Sequence, residues 1–530
     1  MTETRLSERT WLAQARARLH SPALSFGSER FRSVHALLII MFVACVLRLL
    51  LVADGAQRYF PDERRYYRYT IAFADTVFAG DVLGGFGSLL EYRYHPGAYA
   101  VTFIPAFVHR VAYEFTKSSD MSWREYWKDE TGDFRFSAIF FTIPSVLSIG
   151  LVYLIALRAG ADAVEALLAA FLLAASNSWF IWSRHFLSYD VSMLFALAAF
   201  CVALRPREID RRGAMLAGLL LFCAFWVYMN HIFLVFAIGS LYCLVLVDNP
   251  RMMIARLFYV LIGASILLLP ILIYNYAVVN IDVFTGMQFQ AKGITQGSYE
   301  EGVVLPFIYF FEAEGVISLV WIAGLVLAFK GVVKCRPNKR HRIMLWLAAL
   351  AMIYGLMALF SSGLHVIVLF GRTVRALVPF IVLICAFAFA PRVKRHGYRL
   401  TALSVAGITA VALMNFMTVI SQRHYVELAR HARDEYGAVS LTTTFSPPSR
   451  SHGFKNPVLE GARYELVNAG YYYPITEMTD LPDGEVLLKV AHPFNYKPWQ
   501  YEGMTPEMRE IINRDGLYIW LIDKAPSVEE

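Results

Sequence analysis

The sequence is short of charge. Of its 530 residues 17% are charged and 57% hydrophobic, whereas a soluble globular chain carries about 25% charged residues. That shortage argues against a water-soluble fold and for a polytopic membrane protein. Cysteine is scarce too. Six occur (Cys45, Cys201, Cys223, Cys243, Cys335 and Cys385), all in or beside apolar segments, with no CxxC pair and none in the polar C-terminal region. Neither a disulfide framework nor a thiolate metal site fits that usage. The net charge of +7 is modest, and no region concentrates enough Lys and Arg to make nucleic acid a partner. The opening MTETRLSERTWLAQARARLH lacks the early apolar stretch of a cleaved signal peptide. Residues 1–33 read instead as a basic cytosolic lead-in to an uncleaved span. No repeat or low-complexity tract stands out.

Long apolar runs are what the chain does have. A span needs roughly 20 mostly apolar residues. The first candidate is VHALLIIMFVACVLRLLLVA from Val34; others begin near Phe134, Ala163, Asp190, Ala214, Ile232, Arg256, Gly315, Ile343, Thr373 and Thr401. About eleven transmembrane helices are therefore expected over residues 34–420. The connections RPREIDRR, KGVVKCRPNKRHR and PRVKRHGYR are strongly basic. Placing them on the cytosolic side puts YFPDERRYYRYT, Tyr59 to Thr70, outside. The segment from His95, HPGAYAVTFIPAFVHRVAYEF, is broken by Pro105 and closed by His109 and Arg110. Counting it as a span would turn every later basic loop outward. Residues 54–133 thus read as one external loop with two interfacial helices.

The tail, residues 421–530, is long enough to fold as a domain. GAVSLTTTF, EVLLKVAH and LYIWLID read as strands, and TPEMREIINR as a helix with Thr505 at the N-cap and Pro506 at its first position. The expected fold class is an all-α polytopic membrane protein with a small C-terminal α/β periplasmic domain.

Charge at membrane depth costs roughly 2.5–3.5 kcal/mol per residue on insertion scales, so the charges near the outer span ends stand out. Asp62 and Glu63 open the first external helix, and Glu91 and His95 precede the second. Arg184, His185 and Asp190 lie in WSRHFLSYD, His231 follows WVYMN, and Glu312 and Glu314 lie in FFEAEG. His365, Arg372 and Arg375 lie in LHVIVLFGRTVRALVPF. All are expected on one face. Each has a plainer alternative. Asp62 can cap the helix after Pro61, and Asp190 the fourth span. Arg184 can snorkel, and Arg372 with Arg375, three apart on one helical face, can bind lipid phosphate. His109, His185 and His231 can be packing residues. Tyr66, Tyr67, Tyr69, Tyr92, Tyr94 and Tyr99 suit an aromatic belt as well as a sugar-stacking surface.

The order of these features resembles the GT-C membrane glycosyltransferases, in the branch of the protein O-mannosyltransferases and lipid A aminoarabinose transferases. Pro61-Asp62-Glu63 follows the first span, and His95-Pro96-Gly97 opens the second external helix. Arg135 opens the next span, and Ser183-Arg184 precedes Asp190. FGRTVRALVPF approaches a late span. Gly97 stands where that branch has a second proline, and Thr373 and Ala376 where it has aromatics. The likeness covers the first 250 residues well, the later spans loosely, and the tail in general kind only.

The resemblance implies an inverting transfer of a sugar from a polyprenyl phosphate to an extracytoplasmic glycan, lipopolysaccharide, lipid or protein. It implies a bacterial inner-membrane protein among membrane lipids, with a cytosolic N-terminus and a periplasmic site. Such a reaction needs a base for the acceptor and cations for the departing phosphate, unlike a glycosidase, which uses two carboxyl groups. Asp62 is expected as general base, and Glu63 as its orienter, a cation holder or a sugar contact. Arg184, Arg372 and Arg375 would hold the phosphate, with His95 and Asp190 supporting. Glu91, Tyr94, His231 and Glu312 are expected near sugar or acceptor. No cofactor is required; a divalent cation at Glu63, Glu91 or Glu312 is left open. The rivals are a transporter or flippase, whose charges belong near the midplane on repeated halves, an O-antigen polymerase or ligase, and a scaffold. The connection 278–303 is nearly free of the basic residues a ligase would carry there.

Overall fold

The computed structural model describes residues 28–55, 61–90, 96–116, 135–180, 183, 186–204, 210–246, 249–280, 303–334, 337–365, 369, 371–415, 435–436, 439–443, 454–455, 463–468, 484–491, 514 and 518–524. The side chains of Asp62, Glu63 and Glu312 lie outside that description although their backbones fall in helices.

Each of the eleven apolar segments forms helix. In chain order these are α1 (Ser28–Gly55), α5 (Arg135–Arg158), α6 (Ala163–Ala175), α8 (Tyr189–Ala203), α9 (Arg211–Val227), α10 (Ile232–Ser240) and α11 (Pro250–Tyr274). After them come α13 (Ile317–Lys334), α14 (Pro337–Ala358) and α16 (Val378–Asn415). The last two predicted segments share α16, which breaks at Gly397 (φ 77°), a backbone angle glycine adopts without steric penalty. Among the described residues five helices are long and apolar enough to cross a membrane, and five more apolar helices are shorter. The chain is a multi-pass membrane protein. Short helices fill the junctions: α7 (Asn177–Phe180), α12 (Leu305–Glu314) and α15 (Gly371–Val374).

The core sits around residues 371–390, nearly all buried, whereas Pro250–Val278 is mostly uncovered and turns its apolar side chains outward. Outward-facing apolar groups suit lipid, which solvates them as well as protein does. Close helix contact here depends on glycine. A Cβ on Gly218 of α9 would lie 1.9 Å from the Val260 carbonyl oxygen, and one on Gly263 of α11 equally near that of Met215.

The first loop departs from the two expected helices in having three among its described residues. They are α2 (Pro61–Phe78), α3 (Val82–Leu90) and α4 (Pro96–Thr116). The glycines of VLGGFGSLL include packing positions. A Cβ on Gly85 would meet Val77 at 2.6 Å, and one on Gly87 the Tyr274 hydroxyl at 2.5 Å. Asp81 starts α3 by accepting a hydrogen bond from Gly84 N–H at 2.8 Å.

The C-terminal region contains a five-stranded sheet in the order β2-β1-β3-β5-β4. Its strands are β1 (Val439–Thr443), β2 (Phe454–Lys455), β3 (Tyr464–Asn468), β4 (Glu485–Ala491) and β5 (Tyr518–Asp523). β1 runs parallel to β3 and the other neighbours are antiparallel. The three predicted strands are present as β1, β4 and β5; β2 and β3 are additional. The predicted helix TPEMREIINR lies outside the described residues except for Arg514.

Candidate functional site

The helices α2 and α4 lie side by side and parallel. Tyr66 meets Tyr99 at 5.7 Å between ring centroids, the Thr70 and Thr102 hydroxyls are 2.7 Å apart, and Phe73 meets Phe103 at 4.8 Å. Their N-termini therefore sit together, which brings the backbone of Asp62 beside the residues that follow His95. Tyr66 and Tyr99 are fully or nearly buried between the two helices, so neither belongs to an aromatic belt or a sugar-stacking surface. The N-terminus of α4 rests on the end of α9. A Cβ on Gly97 would lie 2.7 Å from the Trp226 and Val227 backbone. A proline there would collide with it, and this contact explains why glycine occupies the position.

Tyr228, the next residue along, leads into a 3-10 turn, Met229–His231. Its hydroxyl accepts from Arg372 Nε at 2.8 Å and from Asn230 Nδ2 at 3.2 Å. Its ring stacks on Tyr189 at 4.4 Å, and the Arg372 guanidinium lies over Tyr189 at 5.7 Å. Ser192 Oγ is 2.6 Å from the Ala224 carbonyl and 2.7 Å from His231 Nδ1. The single hydroxyl proton goes to the carbonyl, which can only accept, so His231 donates from Nδ1.

Arg375, in the 3-10 turn Arg375–Leu377 that joins α15 to α16, donates from Nη2 to Asp190 Oδ1. Both side chains are buried, at 0% and 1% exposure. Asp190 therefore does not cap its own helix; Ser188 holds the N-cap position and Asp190 lies in the first turn. Arg372 and Arg375, expected on one face, take different partners because the backbone tightens between them. Among the described residues Asp190 Oδ2 and the Arg375 Nε and Nη1 atoms are buried without a hydrogen-bond partner. Buried polar groups are almost always paired, so this cluster retains capacity to bind.

One residue of the neighbourhood escaped the sequence reading, and another gains a role. Arg48 of α1 is fully buried, donating from Nε to Ser145 Oγ at 3.0 Å and from Nη1 to the Ala44 carbonyl at 3.1 Å. Asp190 also lies within its electrostatic reach. The signal was present: one arginine inside an otherwise apolar run. Glu314, noted at the start of a span, has a definite task. Its carboxylate accepts from Ser176 Oγ at 2.5 Å, Asn177 N–H at 2.8 Å and Ser178 N–H at 3.1 Å, fixing the start of α7.

The structure thus brings Asp190, His231, Arg372 and Arg375 to one end of the bundle, with the N-termini of α2 and α4. Glu91, Tyr94, His95, Arg184 and His185 lie outside the described residues, as do the side chains of Asp62, Glu63 and Glu312. Among the described residues no group of three or more His, Cys, Asp or Glu is arranged to hold a metal ion.

No family model matches the sequence, and no curated protein does either. Solved structures similar to it include the oligosaccharyltransferase AglB of Archaeoglobus fulgidus in complex with an inhibitory peptide and a dolichol-phosphate. The identity is 13%, over 76% of this chain and 56% of that one, with a TM-score of 0.41. The apo form of the Archaeoglobus fulgidus oligosaccharyltransferase matches at 12% identity, over 75% of this chain and 56% of that one, with a TM-score of 0.39. The matched part spans just over half the length of those archaeal chains. Superpositions at this level carry no argument about function, and the local geometry has to supply it.

Proposed function

We propose that this protein is a membrane glycosyltransferase that moves a sugar from a polyprenyl phosphate to a hydroxyl on an extracytoplasmic glycan, lipid or protein. In this reading eleven helices cross the bilayer and the tail folds as a separate external domain. The observation that supports it is that α2, which bears Asp62, starts beside the N-terminus of α4, which rests on the end of α9, whose next residue, Tyr228, accepts from Arg372.

Asp62 removes the acceptor proton as the acceptor oxygen attacks the anomeric carbon. The bond from that carbon to the phosphate oxygen breaks, and the polyprenyl phosphate leaves with the electron pair. The phosphate is a good leaving group, so no acid is needed; guanidinium groups gather its charge. Arg372 and Arg375 supply that positive charge, with Arg184, and Asp190 fixes the aim of Arg375. A single in-line displacement inverts the anomeric centre.

Purified protein incubated with a panel of polyprenyl-phosphate sugars and envelope-derived acceptors tests this reading. The expected result is release of one polyprenyl phosphate for each sugar transferred. Movement of solute across proteoliposomes with no sugar transfer from any donor would instead favour a carrier.

A further inference from the structure

An arginine in the first membrane helix is costly, and its surroundings do not neutralise it directly. Arg48 bonds to a serine hydroxyl and a backbone carbonyl, and its guanidinium lies over the Phe180 ring at 4.2 Å from the centroid. The next residue back does the same for a different arginine: Trp179 lies under the Arg375 guanidinium at 5.1 Å. Two consecutive aromatic rings of α7 thus each carry a guanidinium, one from α1 and one from the entry to α16. The rest of α7 is held as firmly. Glu314 accepts both N–H groups at its start, Trp179 Nε1 donates to the Ser145 carbonyl at 3.1 Å, and Ser145 Oγ donates to the Trp179 carbonyl at 3.3 Å. Ser145 also receives the Arg48 bond, so one serine links the first arginine to the ring beneath the second.

We infer that Arg48 is a positioning residue for the phosphate-holding side of the site, acting through the Phe180–Trp179 platform on Arg375 and not on a ligand. The inference rests on the functional reading above. Arg48 is buried too deeply to snorkel to headgroups, and its Nε and Nη1 are spent on Ser145 and Ala44, which leaves Nη2 without a hydrogen-bond partner among the described residues and the Phe180 ring as its main contact. What it supplies is a planar cation against Phe180, a role a lysine fills poorly because its charge is a compact point without a flat face. If the platform shifts, Trp179 slides from beneath Arg375 and the guanidinium loses its aim at Asp190.

The test uses the whole chain purified in detergent, with three variants: Arg48→Lys, Phe180→Leu and Phe180→Tyr. Donor KM and kcat are measured separately, alongside thermal melting. Arg48→Lys and Phe180→Leu are expected to raise donor KM about tenfold, the scale of a desolvated guanidinium–ring contact, with kcat within about threefold of wild type. Phe180→Tyr, which keeps the ring, recovers what Phe180→Leu loses. The double variant Arg48→Lys/Phe180→Leu should be no worse than either single one, as expected for residues acting through one contact. Lower melting temperatures with donor KM unchanged overturn the inference, as do two effects that multiply. If the wild type transfers no sugar from any donor, the functional reading fails, and the inference is judged on melting shifts of Arg48→Lys and Arg375→Lys. Non-additive shifts then support it and additive shifts overturn it.

Discussion

The two ends of the helix bundle use the same residue type in opposite ways. At the end where α5 meets α6 and α13 meets α14, arginines close off backbone. Arg158 donates to the Cys201 carbonyl, Arg256 to those of Tyr242 and Leu246, and Arg342 to that of Gly160. Cations at the C-terminal ends of helices satisfy carbonyls left without helical partners and oppose the helix dipole. Arg342 also pairs with buried Glu165 at 2.6 Å, and Lys394 with Asp162 at 2.5 Å. At the opposite end Arg48, Arg372 and Arg375 donate to the side chains of Ser145, Tyr228 and Asp190; each lies over an aromatic ring, as Arg256 and Arg342 do at the first end. The first arrangement completes a fold. The second holds charge in a buried cluster of side chains and, among the described residues, leaves four atoms of Arg48, Asp190 and Arg375 without a hydrogen-bond partner, against Nε of Arg342 at the first.

The sharpest way to break this comparison is to treat the two buried ion pairs alike. Removing one partner, as in Arg375→Leu or Arg342→Leu, should cost about 3–5 kcal/mol at either end, because a charge is left buried alone. Replacing both partners with leucine should recover most of that stability, as replaced buried pairs often do. The ends should then part company. Glu165→Leu/Arg342→Leu is expected to transfer sugar at a near-normal rate, and Asp190→Leu/Arg375→Leu to lose transfer while melting normally. Equal transfer by both double variants would erase the distinction.

A smaller effect separates two glycines. Gly97→Ala puts a methyl group 2.7 Å from the Trp226 backbone and should destabilise by about 1–3 kcal/mol, as overpacking does, while loosening the first-loop helices from α9. Gly407 has nothing within 4 Å of its would-be Cβ, so Gly407→Ala should be neutral or stabilising by up to about 1 kcal/mol. Chemical denaturation of the two variants in the same detergent makes the comparison.

Much of the bundle was legible in the sequence, because uniform apolarity over some twenty residues leaves few alternatives to helix. The pairing of charges was not. Asp190 and Arg375 stood out separately as costly residues near span ends, but they are 185 positions apart, and only packing reveals that one cancels the other. Arg48 passed as a minor blemish in an apolar run, since its significance lies in the ring of Phe180 contributed by another helix. The glycines of α3 carried no signal for a related reason. A residue chosen for close contact and one chosen for a turn look the same until the neighbour is known.

The smallest expected effect lies in the C-terminal sheet. Arg463 donates to both carboxylate oxygens of Asp523, at 2.7 and 2.6 Å, and those hydrogen bonds hold the Asp523 carboxyl below its ordinary pKa. A depressed acid stabilises the folded state above its unfolded-state pKa, near 4, and that contribution fades as pH falls through the lower folded value. Asp523→Asn should therefore lower the melting temperature of this region slightly at pH 7 and not at pH 2. The exposure of Arg463, at 62%, keeps the effect small.

The proposed base is the carboxylate of Asp62 at the start of α2, and the most direct measurement is single-turnover transfer by Asp62→Asn. The variant should still bind polyprenyl-phosphate sugar with near wild-type affinity while the chemical step slows by about 100- to 10,000-fold, the usual worth of a general base. Transfer at close to the wild-type rate would show that the proton goes elsewhere and would contradict the account.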